Sequence, residues 1–418
     1  MSSVVPEGWE QALIRDIGSF FGGLTGKTAK DFGDGHPFLT YMQVFLQKTS
    51  DKERVNFVSI NESEKQNRVD YGDILFTTSS ETPNEIGMTA VFLEKDWSPY
   101  LNSFCFGLRV EAPSSIDPLF AKYVLRGDKF REDMRPLAQG STRFNLSKGN
   151  LAKLNLLLPS LPEQKKIASI LTSVDEVIEN TQKQIDKLQD LKKATMNELL
   201  TKGIGHTEFK DSELGQIPKS WEVVRFQEVF ESYTYGPRFS SKDYSPIGNV
   251  KTIRGTDLTK DWCINYKQVP LAELDEKVVL QHRLKENDVV MITTADCGFS
   301  AVFKEQSIPF IASAYAIRLR PTLRIDSSFC VCYLQTSIAK NQIEKYERKG
   351  TVSNLPGSDV MNVKLPLPSL DEQSGIVSAL TSIDTNISNN LEKLHQTQSL
   401  KKSLMQDLLT GKVRVTVN

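Results

Sequence analysis

The sequence predicts an α/β fold in which two mixed α/β domains are separated by two long antiparallel coiled-coil helices, arranged as a circular repeat with pseudo-twofold symmetry. The main observation is a repeat: residues 158–201 return as residues 367–410 without a gap, with 22 of 44 positions identical. The offset of 209 residues is half of the 418-residue chain, so the chain consists of two equivalent halves. The second observation is that helical periodicity dominates these segments, whereas short alternating patterns lie between them.

Each repeated segment is predicted to form one long helix. Pro159 and Pro162 lie at the start of the first copy, and Gly203 and Gly411 follow the two copies as helix stops. Apolar residues three and four positions apart form a narrow seam of coiled-coil type, not the wide stripe of a core helix. About 39 residues at a rise of ~1.5 Å give a length of roughly 60 Å. The predicted helix-seam residues are Ile167, Leu171, Val174, Ile178, Ile185, Leu188, Ile376, Leu380, Ile383, Ile387 and Leu394.

The order of the segments predicts how the two helices pair. Each helix leaves one globular half, so pairing within one molecule makes them antiparallel with a domain at each end; the alternative is that the helices mediate homodimerisation. Thr181, Lys192, Asn390 and Lys401 interrupt the seam, so neither helix is expected to self-associate strongly. The predicted boundaries are 1–157 for the first domain, 158–205 for the first helix, 206–366 for the second domain and 367–418 for the second helix and tail.

Composition excludes several classes of protein. The chain has 51 Lys and Arg against 52 Asp and Glu, which argues against a general polyanion binder but leaves room for a local basic surface. Five cysteines without a CxxC pair and four scattered histidines suggest neither a zinc site nor a disulfide framework, so we expect no bound metal and a reducing cytoplasm. The chain starts without a signal segment, and no apolar run approaches the length of a membrane span.

Both halves repeat the same order of elements between the long helices. Each opens on a proline followed three residues later by a tryptophan, at Pro6 and Trp9 and at Pro218 and Trp221. Alternating apolar residues predict strands, and longer apolar spacing predicts one helix per half before the last strand. Strands are expected around 37–45, 72–80, 88–93, 104–110, 151–158, 249–258, 287–296, 314–319 and 360–367, and helices around 118–134 and 327–345.

A Gly-Lys-Thr sequence at residues 26–28 invites a phosphate-loop interpretation, but that motif needs a glycine at position 21, which is Phe21. The loop with Lys27, Thr28 and Lys30 could instead contact nucleic-acid phosphates, or be an ordinary solvated loop. Its counterpart in the second half carries Arg238.

Polar residues at strand ends and in later loops are further candidates for nucleic-acid contacts. Hydroxyl and carboxylate groups at 77–79 and 293–296 could recognise base edges, although β-branched residues are also ordinary in strands. A basic helix and loop at 122–143 recurs as a basic stretch at 340–349, which suits phosphate contact or a solvated helix face. The candidate nucleic-acid contacts are Lys27, Thr28, Lys30, Thr77, Thr78, Ser79, Arg143, Arg238, Arg254, Thr293, Thr294, Asp296, Lys349 and Thr351.

The chain closely resembles the specificity (S) subunit of type I restriction-modification enzymes over its whole length. The resemblance rests on the doubled LPSLPEQ and LPSLDEQ sequences, the long repeats ending in ELLT and DLLTGKVRV, and the Pro-x-x-Trp openings. It implies two target-recognition domains that each recognise half of a split double-stranded DNA site, and helices that hold two methyltransferase (M) subunits and two restriction (R) subunits. It also implies that AdoMet belongs to the M subunits and ATP and Mg²⁺ to the R subunits, so this chain binds no cofactor.

Other functions remain as alternatives from the sequence. Neither a nucleophile with its base nor an HExxH, phosphate-loop or methyltransferase signature is visible, so a non-catalytic binding protein is predicted. A nuclease or phosphate-loop ATPase would be active as the isolated chain, and a purely structural coiled-coil linker would make no DNA contact. Within the resembling family, a methylation-only system that lacks an R subunit is the alternative.

Overall fold

The computed structural model describes residues 5–111 and 115–417 and divides into two units of similar construction. The N-terminal unit comprises the chain up to Lys183 together with the chain from Glu392 onward, and the C-terminal unit is Gln184–Leu391. Each long helix therefore contributes one part of its length to each unit.

The N-terminal unit consists of small sheets and short helices before the first long helix. Its strands are β1 (Glu10–Leu13), β2 (Gly18–Gly22), β3 (Phe32–Leu39), β4 (Asn56–Val58), β5 (Ile74–Thr77), β6 (Ser79–Ser80), β7 (Thr89–Val91), β8 (Tyr100–Leu101), β9 (Cys105–Val110), β10 (Phe144–Asn145) and β11 (Asn155–Leu158). Its α-helices are α1 (Ile14–Ile17), α2 (Tyr41–Phe45), α3 (Pro118–Val124), α4 (Asp128–Met134) and α5 (Lys148–Leu151), followed by the long helix α6 (Leu161–Lys202).

The C-terminal unit has a similar series of elements, with an additional hairpin at its start. Its strands are β12 (Phe209–Ser212), β13 (Gly215–Pro218), β14 (Glu222–Arg225), β15 (Phe230–Tyr235), β16 (Val250–Ile253), β17 (Leu271–Ala272), β18 (Val289–Ile292), β19 (Ser300–Val302), β20 (Phe310–Ala312), β21 (Ala316–Pro321) and β22 (Lys364–Leu367). Its helices are α7 (Phe226–Val229), α8 (Glu276–His282), α9 (Ser327–Leu334), α10 (Ser337–Tyr346) and α11 (Gly357–Val360), and the long helix α12 (Leu370–Leu408) follows.

The two larger sheets have the same strand order in both units, which confirms the predicted mixed α/β repeat. The four-stranded antiparallel sheet has the order β2-β9-β5-β7 in the first and β15-β21-β18-β19 in the second. The three-stranded sheets, β4-β3-β8 and β17-β16-β20, each contain one parallel pair. Short antiparallel pairs, β1 with β11 and β14 with β22, connect each domain to its long helix.

Two kinds of element differ from the prediction. The predicted strand at 37–45 ends at Leu39 because Thr40 and Gln43 form a capping box, each side chain accepting the other's backbone N–H, so α2 begins there. Each helix predicted before the last strand is two helices, α3 with α4 and α9 with α10. In the second unit the Thr336 side chain accepts the N–H of Ala339 and starts α10 as a new helix.

The long helices are antiparallel within each unit. In the N-terminal unit, Ile167 and Leu171 near the start of α6 share a buried cluster with Leu408 at the end of α12. In the C-terminal unit, Leu200 near the end of α6 shares a cluster with Ile376 near the start of α12. Four predicted seam residues belong to these domain cores, so the apolar face at the start of each long helix is wider than the narrow seam that was predicted: Ile167, Leu171, Ile376 and Leu380. Of the other seam residues, Ile185 is buried, and the rest are half-buried: Val174, Ile178, Leu188, Ile383, Ile387 and Leu394.

The lysines that interrupt the apolar spacing make ion pairs between the helices. Lys192 Nζ lies 2.6 Å from Asp384 Oδ1, and Lys401 Nζ lies 2.5 Å from Asp175 Oδ1. These two pairs occupy equivalent positions of the repeat, so each lysine that interrupts the apolar seam forms an ion pair with the other long helix. The helix stops are as predicted, since Gly203 has a φ of 68° and Gly411 a φ of 70°.

The repeated glutamine of the LPxxEQ sequences joins each long helix to its domain. The Gln164 Oε1 atom accepts the N–H of Asp117 at 2.8 Å, and its Nε2 atom donates to the C=O of Pro159 at 2.9 Å. Gln373 bonds the N–H of Asp326 at 2.7 Å in the same way. Asp117 and Asp326 are the N-caps of α3 and α9, so one buried amide in each unit fixes this helix against the long helix.

Candidate functional site

A surface cavity of about 430 Å³ lies in the N-terminal unit, where three separate segments meet. The start of α2 supplies Tyr41 and Met42, the β5–β6 region supplies Ser79, and the residue before β9 is Phe104. The loop before β10 adds Arg143. The complete lining is Tyr41, Met42, Phe45, Ser79, Ser80, Glu81, Glu85, Phe104 and Arg143.

A larger cavity of about 990 Å³ lies in the C-terminal unit. It brings together four of the residues predicted from the sequence, because the ends of β15, β16 and β18 converge there. These four are Arg238, Arg254, Thr294 and Asp296, and the remaining lining is Pro237, Phe239, Tyr244, Gly255, Thr256, Ile292, Ala295, Ser313, Ala314, Tyr315 and Val352.

The two cavities occupy the same place in the fold. Ser79 bridges to Asn145 in the first unit, as Thr294 does to Asn354 in the second. Thr40 caps α2, and Arg254 caps a 3₁₀ turn at the matching point after the central strand of its three-stranded sheet. The matched lining pairs are Tyr41 with Gly255, Met42 with Thr256, Ser79 with Thr294, Ser80 with Ala295, Glu81 with Asp296, Phe104 with Tyr315 and Arg143 with Val352.

An exposed aromatic ring stands at the edge of each cavity. Phe104 is 57% exposed and Tyr315 is 66% exposed, although large apolar side chains usually gain free energy from burial. The backbone C=O of Phe104 accepts both the N–H and the hydroxyl of Thr78, each at 2.9 Å. Thr293 holds the C=O of Tyr315 in the same way, at 2.9 and 3.0 Å. The backbone at each exposed ring is therefore held by two hydrogen bonds from one threonine.

The charges that line the cavities differ between the units. The first presents Glu81 and Glu85 with Arg143, and the second presents Arg238 and Arg254 with Asp296. Arg254 is oriented by Asp257, a fully buried residue whose two oxygens each accept one guanidinium N–H at 3.0 Å. These hydrogen bonds raise the pKa of Arg254, and its remaining N–H groups stay available to a ligand.

Comparison with known proteins identifies the family. Residues 6–190 and 218–402 each match the profile of the type I restriction modification DNA specificity domain. The chain belongs to the type I restriction-modification DNA specificity family. It is 29% identical to the putative type I restriction enzyme MjaX specificity subunit of Methanocaldococcus jannaschii, with 98% of this chain and 95% of the relative covered. It is 19% identical to the EcoKI specificity subunit of Escherichia coli, with 98% and 91% covered.

Solved structures share the fold. A chain from a structure on complex assembly and conformational transition of the type I R-M system matches with a TM-score of 0.61 at 16% identity, covering 98% of this chain and all of the other. The type I S subunit from M. genitalium matches with a TM-score of 0.55 at 16% identity, covering 97% and 99%. The family is one of non-catalytic specificity components, as the sequence predicted.

Three of the predicted nucleic-acid contact residues use their polar groups for hydrogen bonds and ion pairs within the chain itself. Thr77 is fully buried, and its hydroxyl accepts the N–H of Met88 at 3.0 Å. Thr293 is 1% exposed and bonds Tyr315. The side chain of Lys27 is only 5% exposed, and its ammonium lies 2.6 Å from the C=O of Ser59 and 2.5 Å from Glu64. None of the three presents a free polar group at the surface.

The other predicted residues of the specificity chain lie at the surface. The Thr28 hydroxyl donates to Asp31 at 2.8 Å in a capping arrangement, and Lys30 beside it is exposed. Lys349 and Thr351 are exposed in the loop that follows α10, next to Val352 of the second cavity. Thr78 and Ser79 are half-buried at the edge of the first cavity.

The predicted basic helix of the N-terminal unit uses most of its charge internally. The Arg126 guanidinium donates to the C=O groups of Thr89 and Phe45, and burial lowers its pKa to about 10. Arg131 donates to the C=O groups of Gly87 and Ile86. These arginines connect backbone segments inside the domain, so the phosphate-binding interpretation of this helix was wrong for them.

Groups of metal-binding side chains and cysteine thiols are two further features that could carry chemistry. Within residues 5–111 and 115–417, no group of three or more His, Cys, Asp and Glu side chains could hold a metal ion. Burial raises the pKa of Cys297 to about 11 and that of Cys332 to about 12, so both thiols are protonated at neutral pH and are poor nucleophiles. In the same residues, no helix is long and apolar enough to cross a membrane.

Proposed function

We propose that the chain is the sequence-specificity subunit of a type I restriction-modification complex and recognises a bipartite site in double-stranded DNA. The observation that supports this most directly is the pair of equivalent cavities with different linings. Two surfaces at the same place in a repeated fold, one acidic with one arginine and one rich in arginine, suit two different half-sites. Each domain then recognises one half-site.

The side chains around the cavities match the chemistry of base edges. Arginine suits guanine, and a carboxylate can accept from the amino group of cytosine. Arg238 and Arg254 therefore favour contacts to guanine in the second half-site, and Glu81 and Glu85 favour cytosine in the first. The exposed rings of Phe104 and Tyr315, which the sequence analysis did not single out, can contact thymine methyl groups or stack on an unstacked base. Lys30, Lys349 and Thr351 contribute phosphate contacts.

The long helices are proposed as the platform for the other subunits. Leu191 on α6 and Leu400 on α12 are equivalent in the repeat, and they are 50% and 53% exposed. An exposed leucine at the same point of both helices suits two copies of one partner, namely two M subunits, with two R subunits completing the complex. AdoMet then belongs to the M subunits, and ATP and Mg²⁺ to the R subunits, with no cofactor on this chain.

The test is to co-express the chain with methyltransferase subunits from its source genome and map methylated bases. We expect one bipartite motif, lost when the chain is omitted. Replacing residues of about 1–150 by those of a relative should change one half-site and keep the other. A matched pair of variants, Tyr315→Ala in the cavity and Leu280→Ala on another exposed surface of the same unit, should separate site effects from general ones. Methylation of the same sites with and without the chain contradicts the proposal.

A further inference from the structure

Strand β11 has a free edge in the N-terminal unit. The N–H of Ile14 donates to the C=O of Leu154 at 3.0 Å, and the pairing with β1 continues antiparallel from there. Because bonding direction alternates along an antiparallel strand, the N–H and C=O groups of Asn155 and Leu157 point away from β1. In the part of the chain that the structure describes, these outward groups have no hydrogen-bond partner.

A cleft of about 710 Å³ runs beside this free edge. Its floor is apolar, with Val124, Phe130, Leu156, Met405 and Leu409 between β11, α4 and the end of α12. The rim carries three carboxylates and two lysines; Lys129 Nζ pairs with Asp133 at 2.6 Å, and the side-chain amide of Gln406 donates a hydrogen bond to Asp128 at 3.0 Å. The cleft therefore combines an apolar floor with a row of open backbone groups.

The C-terminal unit closes the equivalent edge with its own side chains. Lys364 takes the place of Asn155, and its N–H donates to Gln342 Oε1 at 2.9 Å. Its C=O accepts the Tyr333 hydroxyl and Gln342 Nε2, each at 2.9 Å. Pro366 stands where the first unit has Leu157, and proline has no N–H to leave open. The buried ring of Tyr333 occupies the space beside the strand.

The N-terminal unit lacks side chains equivalent to Tyr333, Gln342 and Pro366. Val124 replaces Tyr333 and is too short to reach the strand, and Asp133 replaces Gln342 and is held by Lys129. Soluble proteins usually protect free strand edges, because an open row of N–H and C=O groups pairs with other chains. One unit follows that rule and its repeat does not, so the open edge is a specific difference within one fold.

We propose that the free edge of β11 binds an extended segment of the methyltransferase subunit as an added strand, with one large apolar or aromatic side chain in the cleft. The proposal rests on the proposed function, since it needs that partner. The cleft is continuous with α12, part of the proposed platform, through Met405 and Leu409. Added strands gain affinity from main-chain bonds and specificity from side-chain pockets. Because the equivalent edge of β22 is already bonded to side chains of its own unit, only one of two bound methyltransferase copies is held by an added strand.

Hydrogen exchange of the free chain and of the co-expressed complex tests the proposal directly. Peptides that contain the amides of Asn155 and Leu157 should exchange rapidly in the free chain and slowly in the complex. The amide of Lys364 is bonded to Gln342 already, so its exchange should be equally slow in both. Equal exchange of residues 155–157 in the two states overturns the proposal. Protection that appears in the free chain at high concentration, without the methyltransferase, shows a second copy of this chain as the occupant and also overturns it.

Variants copied from the closed unit provide the second arm. Leu157→Pro removes one outward N–H that the fold does not use, and Val124→Tyr fills the cleft without altering the strand. Each should weaken the binding of one methyltransferase copy by roughly five- to tenfold, the equivalent of about one hydrogen bond. Pro366→Leu in the closed unit is the matched control and should change nothing. Native mass spectrometry counts the bound copies.

The outcomes separate this inference from the function on which it rests. If the wild-type chain captures no methyltransferase subunit, both fail. If the wild-type complex forms and methylates a bipartite motif but Val124→Tyr and Leu157→Pro bind like wild type, only the added-strand inference fails. Should Leu157→Pro prevent folding, Val124→Tyr alone decides, because filling a cleft leaves the strand pairing intact.

Discussion

Removing the guanidinium of Arg320 tests how strongly the strands behind the second cavity depend on one buried ion pair. Its Nε and Nη2 atoms donate to the two oxygens of Asp288 at 3.0 and 2.8 Å, and the Asp288 side chain is 1% exposed. In Arg320→Met the carboxylate keeps the N–H of Lys285 at 2.8 Å but loses its charge partner. Breaking a buried pair costs about 3–5 kcal/mol, and because the Arg320 side chain is 23% exposed we expect about 2–4 kcal/mol.

Urea unfolding followed by tryptophan fluorescence measures this loss, because two of the four tryptophans, Trp221 and Trp262, report on the C-terminal unit, while Trp9 and Trp97 report on the other. Arg324→Met is the matched control. Arg324 pairs with Glu222 at 2.9 Å, but the two side chains are 49% and 66% exposed, so its removal should cost less than about 1 kcal/mol. If the two variants unfold at the same urea concentration, the buried Arg320–Asp288 pair contributes no more to the free energy of unfolding than the exposed pair, and the reasoning is wrong.

Three further predictions concern binding and pH. Tyr315→Ala should weaken binding of the assembled complex to its DNA by about 1–3 kcal/mol if the ring stacks on a base, whereas Tyr315→Phe should not, as measured by titration with the mapped site. Lys30→Met should lower the salt dependence of DNA binding by roughly one phosphate contact, and Lys27→Met should leave that slope unchanged. Burial alone would raise the pKa of Asp175, but hydrogen bonds from Lys401 and Tyr123 lower it below the ordinary carboxyl value. The ionised Asp175 therefore stabilises the fold above the ordinary carboxyl range, and this stabilisation is lost as the pH falls below about 4. Lys401→Met should reduce the loss of unfolding free energy between pH 7 and pH 3, which acid titration followed by circular dichroism measures.

The sequence predicted the features that repeat over long stretches. The duplicated segment determined the two long helices, their stops at Gly203 and Gly411, and their antiparallel pairing, because helical periodicity over forty residues has few alternatives. The ion pairs of the seam lysines with Asp175 and Asp384 were not predicted, although both aspartates occupy the same point of the repeat. The capping box at Thr40 and Gln43 was a local signal that the alternating pattern obscured.

The site was less predictable, because it depends on where distant segments meet. Thr77 and Thr78 are adjacent in sequence, yet one is fully buried and the other lies at the edge of a cavity. No local sequence pattern around Phe104 distinguishes this exposed residue from the many core phenylalanines. Arg126 looked like a surface charge, and only its position beside free backbone carbonyls makes it internal. Alignment of the two halves around the threonine before each exposed ring was the signal that could have found the aromatic pair.

The division of the chain into units has a consequence for its synthesis on the ribosome. The C-terminal unit is one uninterrupted stretch, Gln184–Leu391, whereas the core of the N-terminal unit includes Leu408 and Leu409. The domain translated first therefore remains without part of its core until Leu409 has been made, whereas every residue of the second domain is available once Leu391 has been made. A newly made chain can therefore contain a folded second domain while the apolar core of its first domain is still exposed, because the end of α12 has not yet packed against it.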